Sequence, residues 1–292
     1  MGRGVAGIGL LALVLGHAPV AARVNGPSPA TPAPVPSTRF ELTSLGEIVV
    51  TARLNGGRTA RLLLDTGSSH SVVSDRLVQA LDLPVVAQAM VSSIAGDALS
   101  HVVRLDRFEL GAIDARAVLP SVVPDDALDP TGRIEGVIGQ DVLASERYTI
   151  DYDRREIVWQ AGPAAPSNHR ASFELTPDGG RFVIDVPQSH GVLRLVPDTG
   201  AETLVLFSGS SPTLPLDGLS ERRLTSLVGS TGVSEGRLLS LQVGPFSLTD
   251  LPVALVTATT ERHRTADGLL PLRLFKRAAF NGPARQLIVE RH

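Results

Sequence analysis

The sequence predicts an all-β protein built from two copies of one lobe, and three observations carry that expectation. Segments such as "EIVVTARL" (47–54) and "RFVIDVPQ" (181–188) are short and rich in β-branched residues. Landmarks of the first half recur about 133 positions later. Helical patterning is confined to short pieces, the clearest being Asp75 to Leu81 with Ser74 as its cap.

The strands come first. "RTARLLLD" (58–65) and "GVLRLVPD" (191–198) are apolar runs that each end on an aspartate. "ERYTIDYDRREIVWQ" (146–160) reads as a hairpin turning at Asp153-Arg154-Arg155. The repeat is the second support. "FELT" at 40–43 returns at 173–176, Asp65-Thr66-Gly67 as Asp198-Thr199-Gly200, and Gly111 as Gly244, all at an offset of 133. Ser93-Ile94-Ala95-Gly96 aligns with Ser226-Leu227-Val228-Gly229 in the same ungapped register. One residue is then lost, so Gly136-Val137-Ile138 meets Gly268-Leu269-Leu270. The period is far too long for a solenoid and reads as a duplicated lobe.

The domain plan follows. Residues 1–22 read as a secretory signal peptide, with a basic start, an apolar run from Val5 to Leu15 and small residues at Val20-Ala21-Ala22. That apolar run is too short to span a bilayer comfortably. Residues 23–38 form a Pro-rich tether. The lobes are expected at 39–162 and 171–292, divided by "AGPAAPSNHR" (161–170). The chain has no cysteine, which excludes disulfides and a thiol nucleophile. Export to a periplasm or the exterior is expected. A formal charge of −3 and an aromatic content of 4% speak against a nucleic-acid partner.

The aspartates carry the chemistry. A carboxylate at the end of a buried strand is costly to desolvate unless paired or hydrogen-bonded. Two such turns meeting on a two-fold axis place their carboxylates a few ångströms apart, where they share one proton. One then acts as general base toward water and the other as general acid toward a carbonyl oxygen. Gly67 and Gly200 permit the tight turns, and Thr66 and Thr199 can hydrogen-bond across to the partner loop. Ser68 is expected to donate to the Asp65 carboxylate, while Ala201 offers Asp198 no such hydroxyl. Asp198 is therefore expected to be the harder acid to ionise.

On "LLLDTGSS" (62–69), "LVPDTGAE" (195–202) and "GVIGQDVL" (136–143), the chain resembles the aspartic proteases, pepsin-like and retropepsin-like, and looks closest to bacterial retropepsin-like domains. The resemblance implies a bilobal fold of two β-barrel-like lobes related by a pseudo-two-fold axis, with a few short helices. It implies Asp65 and Asp198 as catalytic residues and Thr66, Gly67, Ser68, Thr199 and Gly200 as their supports. It also implies substrate-binding flaps at Ile94, Ala95 and Gly96 and at Leu227, Val228 and Gly229. The substrate is then a peptide or unfolded protein, with no cofactor or metal. Fusion of both lobes in one chain implies a monomer. The sequence departs from the family pattern at Pro197 and at Pro271, which replaces the glycine of the first half, and neither flap carries the tyrosine of pepsins. The alternative is a peptide-binding module that kept the cleft and lost turnover.

Blander readings hold elsewhere. His70 is expected as a loop residue, because a carboxylate pair needs no imidazole, and His169 and His263 as solvated side chains. Asp125, Asp126 and Asp129 form an acidic turn without a calcium-loop pattern. Gly229 to Gly232 reads as a hairpin tip.

Overall fold

Along Ile48–Leu54 the side chains of Val50, Ala52 and Leu54 point inward while Thr51 and Arg53 face solvent, the period of a half-buried strand. The computed structural model describes residues 35–93, 96–129, 131–160, 167–189, 191–207, 216–226, 229–256 and 266–291. The expected signal segment, residues 23–34 of the tether and residues 161–166 of the inter-lobe break lie outside the described residues; Ser37 and Thr38, expected in the tether, belong instead to the strand Ser37–Arg39. Among the described residues no helix is long and apolar enough to cross a membrane. Helix Asp75–Leu81 forms as expected, with Ser74 accepting the Leu77 N–H.

Three sheets build the protein. One belongs to the first half of the chain. From its edge it runs Val85–Ser93, Gly96–Val103, Ser121–Val123, Val72–Ser74, Gly136–Ile138, Arg58–Leu64 and Ile48–Leu54, and continues to Leu105–Leu110 and Ile113–Val118. A second belongs to the later half. From its edge it runs Leu216–Ser226, Gly229–Val243, Phe246–Val256, Leu204–Phe207, Gly268–Pro271, Gly191–Asp198 and Arg181–Gln188, then Thr176–Asp178. The order of the first seven strands is the same in each. In both sheets the strand leading to the aspartate pairs in parallel with a short apolar strand from far along the chain, Leu63 opposite Val137 and Val196 opposite Leu269.

The ungapped register expected between the halves is corrected by the pairing. Leu54 faces Arg58 across a three-residue turn, whereas Gln188 faces Gly191 across a two-residue one. Asn55 and Gly56 both take left-handed dihedrals in the longer turn. The offset is therefore 134 along Ile48–Leu54 and returns to 133 at Arg58. Ahead of these strands the offset is 135, because Leu42 faces Ile48 across five residues and Pro177 faces Phe182 across four.

The third sheet draws strands from both halves, in the order Ser37–Arg39, Glu156–Trp159, Arg147–Asp151, Arg277–Asn281, Gln286–Glu290 and Arg170–Glu174. Its central pairing is reciprocal: Arg147 faces Asn281 and Asp151 faces Arg277, with Thr149 opposite Ala279 midway between them. The rings of Tyr148 and Phe280 stack at 5.0 Å, and Trp159 packs on Tyr148. These rings lie in a core that takes side chains from both halves, such as Leu64, Ile150, Leu195 and Phe275. Each fully buried side chain of this size stabilises by about 1.5–3 kcal/mol. The shared sheet seats the two strand ends that carry Asp65 and Asp198 on one foundation.

Candidate active site

Both aspartates stand at the end of a strand whose apolar residues anchor it. Gly67 N–H (2.8 Å) and Ser68 N–H (3.2 Å) donate to Asp65 Oδ1. Gly200 N–H (2.7 Å) and Ala201 N–H (3.1 Å) donate to Asp198 Oδ1 in the same way. The glycines are required by close approach. A Cβ on Gly67 would lie 2.5 Å from Asp198 Cγ, and one on Gly200 would lie 2.9 Å from Asp65 Cγ. Each turn thus packs its glycine against the other turn's carboxyl group.

The turns are clasped by their threonines. Thr66 N–H donates to Thr199 Oγ1 (3.0 Å), and Thr199 N–H donates to Thr66 Oγ1 (3.1 Å). Each hydroxyl passes its own proton onward, Thr66 Oγ1 to the Pro197 carbonyl (2.7 Å) and Thr199 Oγ1 to the Leu64 carbonyl (2.6 Å). Both threonines are buried, so all four bonds are shielded from water.

Each carboxyl group therefore lies against the other aspartate's turn. Burial pushes both up from the ordinary carboxylate range, Asp198 further, because the negative charge of Asp65 adds to its desolvation. The Gly67 and Ser68 N–H groups and the charge of Arg181 oppose the rise at Asp65.

The expected donation from the Ser68 hydroxyl to the Asp65 carboxylate is corrected. Ser68 Oγ does not reach Asp65; it donates to the His70 carbonyl at 2.8 Å. The hydroxyl satisfies the turn's own backbone, and the two carboxylates receive matching pairs of backbone donors. His70 itself is exposed, its ring beside Ser69 Oγ.

Behind the Asp65 turn lies a polar brace that the sequence did not single out. Gln140 Nε2 donates to the Thr66 carbonyl (2.9 Å). Asp141 Oδ1 accepts from Ser71 N–H and Oγ–H (2.9 and 2.7 Å), and Ser71 Oγ accepts from Gly139 N–H (3.1 Å). The signal was the Gln-Asp pair directly after "GVIG", where a helical turn starts under the loop. In the second half Leu204 replaces Ser71, Pro271 replaces Gly139 and Leu272 replaces Gln140. Pro271 lacks an N–H, yet Leu204 has no hydroxyl to receive one. The polar brace is exchanged for an apolar one, with Leu204, Leu270 and Leu272 in the core.

Of the expected flap residues, Ile94, Ala95, Leu227 and Val228 lie outside the described residues. Gly96 faces Ser93 and Gly229 faces Ser226, at the ends of the long hairpins Val85–Ser93/Gly96–Val103 and Leu216–Ser226/Gly229–Val243.

Comparison with known proteins bears on the first of the two turns. Residues 50–142 match the aspartyl protease family. The match includes Asp65, its clasping threonine and the Gln140–Asp141 brace, and it ends before Asp198. No curated protein matches the chain. A protease-like β fold in the first half therefore rests on sequence and structure together, and the second aspartate on its hydrogen bonds.

The raised carboxyls have a consequence for stability. A group whose folded pKa lies above its unfolded value stabilises the fold fully below the unfolded value and loses that contribution as pH rises through the folded one. Wild type should therefore gain stability relative to Asp198→Asn as pH falls from neutral toward the ordinary carboxyl value of 3.8. Urea unfolding of both proteins across that range measures it. A difference constant with pH would mean that Asp198 titrates normally.

Proposed function

We propose that this protein is an aspartic endopeptidase, with a water molecule activated between Asp65 and Asp198. The observation that carries this reading is the pair of carboxyl groups, each packed against the other turn's glycine and held by matched backbone donors and crossed threonines. Ionised Asp65 takes a proton from water as the oxygen attacks the peptide carbonyl carbon, while Asp198 gives its proton to the carbonyl oxygen. The tetrahedral diol collapses as Asp65 protonates the leaving nitrogen and the diol hydroxyl returns its proton to Asp198. The starting protonation state is restored.

Two lobes around a pseudo-two-fold axis give the pair its symmetry in this reading. The common strand order of the two large sheets and the reciprocal pairing about Thr149 and Ala279 support it. We place the lobes at 39–162 and 171–292, with an extended peptide lying under the two long hairpins. The basic, apolar, small-residue start of the chain supports export to a periplasm or the exterior. The alternative of a binding module without turnover rested on Pro197 and Pro271. Pro197 still offers its carbonyl to Thr66, and the second half has Leu204 where the first has Ser71, so no hydroxyl there calls for an N–H from Pro271. A buried acid pair is an expense that binding alone does not require.

Incubation of the full chain with an unstructured protein across pH tests the proposal. Cleavage should be bell-shaped in pH, bounded by two values belonging to the pair, and absent in Asp65→Asn. No cleavage at any pH would sink it. Ser68→Ala should leave the alkaline limb in place, because its hydroxyl serves His70 and not Asp65. A displaced limb would restore a direct role for that hydroxyl.

A further inference from the structure

The strand registers put residues of opposite charge at the same point of the two halves. Val50 faces Leu62 and Ile184 faces Leu195, each three residues before its aspartate. Val50 and Ile184 are thus equivalent, and so, three residues earlier, are Glu47 and Arg181. Both residues are half-buried, and each is close enough for its charge to act with that of Asp65.

Each sits on a turn fixed against the opposite half. The turn before Glu47 is closed by Thr43, whose Oγ1 donates to Glu47 Oε2 (2.9 Å) and accepts Glu47 N–H (3.2 Å). Arg273 braces this turn by donating to the Leu45 carbonyl at 3.2 Å. Glu47 is pushed up by burial, opposed by the Thr43 hydroxyl, with the charges of Asp65 and Glu202 adding to the rise. Glu202 follows Ala201 in the second aspartate turn and is exposed. On the other side, Gly180 abuts the first aspartate turn, a Cβ there lying 3.1 Å from Ser69 Cβ and 3.9 Å from His70 Cε1. The next residue, Arg181, adds its charge to that flank.

We propose that the cleft over Asp65 and Asp198 is charge-polarised, its Glu47–Glu202 end selecting a basic side chain and its Arg181 end an acidic one on an extended peptide. This rests on the peptidase reading above and names its substrate class. A site with pseudo-two-fold geometry accepts an extended chain in either direction at nearly equal free energy. Opposite charges at equivalent positions remove that degeneracy and fix the scissile bond's orientation relative to the base, Asp65.

The test uses full-chain Asp65→Asn and four labelled octapeptides with one apolar centre, carrying Lys or Glu at each end. Binding is read by fluorescence anisotropy at low salt. The two mixed-charge peptides should bind about fivefold more tightly than either like-charged one, a preference that shrinks as salt rises. Adding Glu47→Arg should make the Glu/Glu peptide the tightest, and adding Arg181→Glu the Lys/Lys peptide. If either reversal misfolds, Glu47→Gln or Arg181→Gln should flatten the preference instead. Equal binding of all four peptides, no measurable binding, or preferences unmoved by the variants overturns the proposal. Digestion of an unstructured protein by wild type, run alongside, separates the two readings. Cleavage with equal binding removes the polarity and keeps the peptidase; charge-sorted binding without cleavage does the reverse.

Discussion

Asp65→Asn should lower the rate of peptide hydrolysis by about 10³- to 10⁴-fold, the range associated with loss of a positioned general base. Asparagine is isosteric and keeps an oxygen for the Gly67 and Ser68 N–H groups, so the turn should survive. It removes the ionised partner that draws the proton of Asp198, and neither acid–base role can then be filled. Because burial raises both carboxyls, the neutral variant should be as stable as wild type near neutral pH, or more so. Initial rates on one peptide and denaturant midpoints for both proteins check the two halves of this expectation. A variant that loses activity and stability together would indicate a collapsed turn and would not isolate the chemistry.

Thr199→Val should destabilise the protein by roughly 3–5 kcal/mol, about 1–3 kcal/mol for each buried backbone group left without a partner. The hydroxyl accepts from Thr66 N–H and donates to the Leu64 carbonyl, and valine fills the same space without replacing either bond. Thr66→Val should cost a similar amount, since it orphans Thr199 N–H and the Pro197 carbonyl. The double variant should lose less than the two singles added together, because the bonds form one network. Urea unfolding at neutral pH decides this. A loss below about 1 kcal/mol, the ordinary value of one net hydrogen bond, would mean that the clasp is not what holds the turns together.

Much of the site was legible because it is written locally. An apolar strand ending in Asp-Thr-Gly specifies a buried strand, a tight turn and a carboxylate at its lip, and two copies in register imply that the carboxylates meet. Helix Asp75–Leu81 was legible for the same reason, since the Ser74 cap and the apolar Leu77 lie within one turn of each other. The destination of the Ser68 hydroxyl was not. Its choice between Asp65 and the His70 carbonyl depends on the path of the loop, which is set by Gly139 pressing on the backbone of His70 (a Cβ would lie 2.6 Å from His70 C).

By itself, then, the sequence determined the strand-rich character, the duplication, the two aspartates and the threonines that accompany them, because each depends on neighbours within a few residues or on a repeat visible by comparison. Only the tertiary structure decided the six-stranded sheet joining both halves, the matched exchange of Ser71 and Gly139 for Leu204 and Pro271, and the equivalent placing of Glu47 and Arg181 in the two halves. These rest on contacts between residues many positions apart, some on turns whose lengths differ between the halves. No pattern along the chain encodes such a contact until packing has chosen the register.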